Sequence, residues 1–156
     1  MVDVGSKAST PRRAKASALV RMAANTLSTI QDRSAAKGDV LEVARLAGIM
    51  ASKRTADLIP LCHPLPLDSV TIDFSFPDQT SVRIEVETRV EAKTGVEMEA
   101  MTAASVTALT IYDMCKGIDR SMAIEQIVLE EKEGGKSGRY QRSGEMPNSK
   151  ADTEIT

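Results

Sequence analysis

Three groups of residues in this chain have the types and spacing that acid–base chemistry needs. Asp113 and Lys116 stand three apart at the end of a long apolar, alanine-rich run, where a helix places them side by side. Burial with a close charged neighbour makes such an amine a usable general acid or base near neutral pH. The bland reading of the same pair is a surface ion pair of little consequence. Glu97 and Glu99 open that run, either as a charged first turn favoured by the helix dipole or as working carboxylates. On a helix, positions 99 and 113 fall near one face. His63, the one histidine, lies between Cys62 and Pro64 in a proline-constrained loop, as a packing residue or as a proton carrier.

A second requirement, a grip on anions, has its candidates in the first third of the chain. Lys7, Arg12, Arg13, Lys15, Lys37, Lys53 and Arg54 gather there. They form either a solvated face or a phosphate clamp, since guanidinium and ammonium groups are the usual partners of polyphosphates. Gly134-Gly135-Lys136-Ser137-Gly138 imitates a P-loop, but Glu130 stands where the first glycine is required, and a polar segment follows instead of a helix and sheet. Lys136 keeps the option of touching an anion.

The counts exclude several classes. One histidine and no CxxC pair leave no zinc ligand set, so no metal site is expected. A net charge of −2 lacks the basic signature of nucleic-acid binding, and no apolar run approaches a membrane span. The polar start MVDVGSKASTPRRAK has no secretory apolar segment. Cys62 and Cys115, in apolar surroundings without paired spacing, read as reduced core thiols of a cytoplasmic protein. Aromatics make up 3% of the chain and Trp is absent, so the core must be built from small and aliphatic side chains.

These residues need elements to position them. Period-two alternation over 14–22 predicts a strand. Asn25 is placed to cap a short helix reaching about Asp32, and Asp39 to cap a second from Val40 to about Arg54. In the second, Val40, Val43, Ala44, Ala47 and Met50 are expected to form one buried face. Prolines 60, 64 and 66 make residues 59–66 an irregular loop. Val70, Ile72, Phe74 and Phe76, then Val82, Ile84, Val86, Thr88 and Val90, alternate with polar residues around Pro77-Asp78-Gln79-Thr80, which is a hairpin. A long helix over 96–115 and a strand over 121–132 follow. The order is that of an α+β, ferredoxin-like split βαβ domain over 1–140, an antiparallel sheet with helices on one face. Its other face is left free for a partner subunit, and residues 141–156 are expected to be a flexible tail.

Four blocks carry a specific resemblance. They are MVDVGSK at the start, KGDVLEVARLAGIMASKRTADLIPLCHPLPL at 37–67, KTGVEMEAMTAASVTALTIYDMCK at 93–116, and GGKSG at 134–138. Together they resemble the molybdenum cofactor biosynthesis protein C family, the cyclic pyranopterin monophosphate synthases. The resemblance implies a homohexamer, a trimer of dimers with sites at dimer interfaces. It implies conversion of 3′,8-cyclo-7,8-dihydro-GTP to cyclic pyranopterin monophosphate with release of pyrophosphate. By the same resemblance Asp113, Lys116 and Lys37 are catalytic. His63, Cys62, Glu97, Met98 and Glu99 hold the purine-derived part, and Lys7, Arg12, Lys53 and Arg54 contact phosphate. No cofactor is required, although magnesium can accompany the triphosphate. Sequence leaves open whether Lys37 meets Asp113 within one chain or across a subunit boundary. The competing reading is a non-catalytic, ferredoxin-like ligand-sensing or partner module.

Overall fold

The computed structural model describes residues 1–143. Strand β1 (Thr10–Arg21) runs through the middle of a five-stranded antiparallel sheet of order β2-β3-β1-β4-β5. The hairpin is β2 (Ser69–Ser75) and β3 (Ser81–Ala92), in a register that pairs Ile72 with Val86 and Phe74 with Ile84. β4 (Ala123–Glu133) lies on the other side of β1, with register shifts between Lys15 and Ala16 and between Ser17 and Leu19. The two-residue β5 (Tyr140–Gln141) closes that edge. The first four strands have the ferredoxin-like order, and residues 144–156 of the expected tail lie outside the described residues.

The helices share one face of the sheet. α1 (Ala24–Gln31), α2 (Val40–Ser52), the single turn α3 (Thr55–Leu58) and α4 (Glu97–Cys115) precede β4. α4 lies across β1 and β3, and small residues on both sides explain how a core without large rings closes. Ala14, Ala16, Ala18 and Val20 of β1 meet a core that includes Ala100, Ala103, Ala104 and Ala108 of α4. Interiors reach crystal-like density only through such complementary volumes.

Two expectations for the helices are corrected. The buried line of α2 is Val40, Ala44, Gly48 and Ser52, whereas Val43 and Met50 are exposed. The reason is a close crossing with α4: a Cβ on Gly48 would lie 2.1 Å from Thr107 Oγ1 and 3.1 Å from the Ala103 carbonyl oxygen. Only small residues fit on that line. The N-cap of α1 is Ala23 and not Asn25. Asp39 does cap α2, accepting from the Glu42 N–H.

The opposite face of the sheet is ion-paired instead of apolar. Arg13 reaches Glu87, Glu131 and Glu133, Lys15 reaches Glu87, and Arg83 reaches Glu130. At the β2 edge, Arg45 of α2 donates to the Ile72 carbonyl and stands 5.0 Å from the centroid of the Phe74 ring.

Candidate active site

The candidate residues fall into two groups at opposite ends of α4. At its C-terminal end, Lys116 Nζ lies 2.7 Å from Asp113 Oδ1 and Lys37 Nζ lies 2.9 Å from Asp113 Oδ2. Lys37 also donates to the Asp113 carbonyl at 3.0 Å. That carbonyl belongs to the last turn of the helix, where acceptors lack intrahelical partners and the dipole favours cations. Lys37 therefore meets Asp113 within a single chain.

The three side chains are each about half exposed, at 51%, 54% and 53% for Lys37, Asp113 and Lys116, so within one chain the pair at 113 and 116 is not buried. The hydrogen bond from Lys116, followed by that from Lys37, pulls the Asp113 carboxyl down to about 2. A carboxylate so stabilised is a poor proton carrier at neutral pH. It is a fixed negative charge between two amines.

At the N-terminal end of α4, a cleft of about 400 Å³ is lined by Lys7, Cys62, His63, Glu97, Met98 and Glu99, with Val2, Val4, Leu61, Leu65, Thr94 and Gly95 completing the wall. That volume lies within the range of small-molecule sites. The proline-braced loop delivers Cys62 and His63, and the first turn of α4 delivers the carboxylates. Cys62 lines the cleft instead of the core, whereas Cys115 is fully buried. Burial pushes the Cys62 thiol up, and the nearby Glu99 charge adds to this.

Glu99 is the most unusual group in the cleft. It is 4% exposed, and burial, reinforced by the Glu97 charge, raises its carboxyl above the ordinary glutamate range. A carboxyl tuned upward toward neutrality is suited to general acid–base work. Glu99 also borders a second cleft of about 360 Å³ that holds Lys53 and Arg54, so it stands between a histidine-bearing space and a cationic one.

Arg12 belongs to neither cleft. Its guanidinium donates to the Ala92 and Lys93 carbonyls at 3.3 and 3.5 Å. It also packs against Gly135, where a Cβ would lie 1.9 Å from Arg12 Nη1. Gly134 and Gly135 adopt φ of 98° and 74°, which glycine accepts freely. The glycine-rich segment is thus a turn shaped around Arg12, and Lys136 in it is exposed.

One residue escaped sequence reasoning. Lys132 of β4 is 20% exposed, and its Nζ stands 3.9 Å from Glu97 Oε1. It is embedded in Glu130-Glu131-Lys132-Glu133, which reads as a solvated charge run. Strand alternation, which separates Lys132 from the two glutamates beside it, was the available signal.

The groups at 99 and 113 are fourteen residues apart along α4, about 21 Å at 1.5 Å per residue. A single chain therefore presents two separate groups: an amine–carboxylate–amine cluster, and a cleft with a buried carboxyl, a histidine and cations. Among the described residues no three His, Cys, Asp or Glu side chains converge as a metal ligand set. No helix among them is long and apolar enough to cross a membrane.

Comparison with known proteins gives one answer. The MoaC family model matches residues 1–135. Cyclic pyranopterin monophosphate synthase 1 of Mycobacterium tuberculosis is 59% identical over 143 residues, which is 92% of this chain and 84% of the relative; the protein of that name from Mycobacterium bovis matches equally. Cyclic pyranopterin monophosphate synthase 3 of Mycobacterium bovis is 55% identical over 142 residues, 91% of this chain and 80% of the relative.

Proposed function

Since this chain belongs to the MoaC family, we propose that it is a cyclic pyranopterin monophosphate synthase, a lyase of molybdenum cofactor biosynthesis. Its substrate is 3′,8-cyclo-7,8-dihydro-GTP, and its products are cyclic pyranopterin monophosphate and pyrophosphate. The observation that carries the reading is the coexistence of Lys37 and Lys116 on either side of Asp113 with a buried Glu99, its carboxyl pushed upward by burial, in the cleft that also holds His63. Opening a purine and rebuilding it as a pterin needs several proton transfers at different ring positions. Two amines and an upward-shifted carboxyl are suitable proton carriers for that task.

In this reading Glu99 and His63 serve the purine-derived rings, with Glu97, Met98 and Cys62 shaping the cleft around them. Lys53 and Arg54, next to Glu99, hold the triphosphate, aided by Lys7 and by Lys132. Closing the cyclic phosphate requires attack of a sugar oxygen on the α-phosphorus and departure of pyrophosphate. Cations neutralise the charge that builds on the leaving group. Arg12 acts through the Gly134-Gly135 turn that it braces. Magnesium, where it takes part, arrives on the triphosphate.

The separation of the two groups supports assembly as a trimer of dimers, in which the Lys37–Asp113–Lys116 cluster of one subunit faces the Glu99 cleft of another. The exposed apolar side chains Val43, Leu46, Met50 and Leu109 on the helical face agree with such contacts. The setting is cytoplasmic, where Cys62 and Cys115 remain reduced.

The test is incubation of the purified protein with enzymatically prepared substrate, following pyrophosphate release and pterin formation. Turnover by the native protein, lost in folded Lys116→Ala, supports the reading. A folded native oligomer that yields no product returns the chain to the ligand-sensing alternative.

A further inference from the structure

Lys37 and Lys116 reach Asp113 from two different connectors. Lys37 stands in the turn between α1 and α2, and Lys116 opens the turn between α4 and β4. Each side chain of the cluster is about half exposed, and ion pairs in that setting order little by themselves. Something else must keep the two connectors in register.

Asp119 links them. It is 9% exposed and lies three residues beyond Lys116 in the second connector. Its Oδ2 accepts from the Ala23 N–H at 2.9 Å and from Thr26 Oγ1 at 3.3 Å, at the start of α1. Its Oδ1 accepts from the Ser121 N–H at 2.9 Å and from Ser121 Oγ at 2.6 Å. Helix starts carry donors without intrahelical partners, and Ala23, the N-cap, has no side chain to serve them. A carboxylate 96 positions away supplies that service. The connector is further pinned by the Asp119 N–H on the Cys115 carbonyl at 3.0 Å and by Tyr112 Oη on the Arg120 carbonyl at 3.2 Å.

We propose that Asp119 is a positioning residue of the enzyme, clamping the start of α1 to the end of α4 so that Lys37 and Lys116 stay on opposite sides of Asp113. It touches none of the reacting groups. The inference rests on the reading of that cluster as part of the active site.

The test compares Asp119→Ala and Asp119→Asn with the native protein by carboxyl ¹³C NMR and by turnover. Asparagine keeps one carbonyl oxygen, and hence one of the two donor pairs, so it serves where alanine fails to fold. Near pH 4, an ordinary aspartate is about half protonated, whereas native Asp113 is ionised. The expected result is partial protonation of Asp113 in folded Asp119 variants. It is accompanied by a kcat lower on the order of 10²-fold at little-changed KM. A folded variant in which Asp113 stays fully ionised overturns the proposal, whatever its thermal stability. If Asp113 gains a proton while turnover persists, the clamp stands and the catalytic reading of the cluster falls instead.

Discussion

Lys37 Nζ lies 2.9 Å from Asp113 Oδ2 and 3.0 Å from the Asp113 carbonyl oxygen, so one amine joins a carboxylate to the open end of a helix across 76 positions of sequence. The contact makes the cluster at the end of α4 a property of each chain. The carboxylate between the two amines is held at about 2.

The first consequence concerns Asp113→Asn. The asparagine keeps the shape but removes the charge between the amines, and kcat should fall by roughly 10²–10⁴-fold, the range for loss of an acid–base group's function. The sign of the pH effect follows from a depressed folded-state pKa. The native interaction is present above the ordinary aspartate value and is lost only as pH falls toward about 2. A carboxyl ¹³C titration that places Asp113 at the ordinary value would contradict this geometry.

Glu99 behaves in the opposite sense. Its folded-state carboxyl holds its proton more tightly than the unfolded chain does, so its contribution to stability is fully present at acid pH and is lost as pH rises through the raised value. Glu99→Gln, neutral throughout, should therefore be more stable than the native protein on the alkaline side while losing turnover. Thermal melts across pH, paired with assays, check both halves. Equal melting of the two proteins at alkaline pH would remove the claim of a strained buried carboxylate.

If each site combines two chains, inactive proteins with complementary defects should rescue one another. His63→Ala damages only the cleft and Lys116→Ala only the cluster. Random reassembly of equal amounts should restore up to about a quarter of native activity, since half the dimers are mixed and each mixed dimer has one intact site. Reassembled mixtures that remain inactive would confine the site to a single chain.

Gly48→Ala probes the α2–α4 crossing. The added methyl meets Thr107 Oγ1, the Ile72 side chain and the Ala103 carbonyl, and such overpacking costs about 1–3 kcal/mol. Urea unfolding should show a lower midpoint with an unchanged slope. A midpoint equal to the native one would mean that the crossing is looser than the structure shows.

Much of the fold was legible because strand alternation is local. Val70, Ile72 and Phe74 face the core in the order their spacing implies, and Asp39 caps the helix it precedes. What failed to show was non-local. The helical face at Val43 and Met50 was misassigned because Gly48 and Ser52, small and unremarkable in a hydropathy pattern, occupy the buried line. Asn25 has the chemistry of an N-cap but lies one residue inside the helix, where its Oδ1 accepts from the Thr26 N–H, while Asp119, distant in sequence, takes the N–H of the N-cap Ala23. In the site, the residue types were legible, but the meeting of Lys37 with Asp113 was not, since pairing between separate connectors leaves no local pattern. Lys132 was hidden for a related reason: only its place on a strand face distinguishes it from its charged neighbours.

The guanidinium of Arg45 has a consequence for the behaviour of many chains together. The margin of a sheet offers free carbonyls and amides to any extended segment that drifts by, and strand addition from there seeds aggregates. On the β2 margin, the Ile72 carbonyl is already engaged by Arg45, whose charge also covers Phe74. On the far margin, β5 occupies part of β4. Both borders are thus partly engaged, which leaves fewer free backbone groups for a passing strand to pair with.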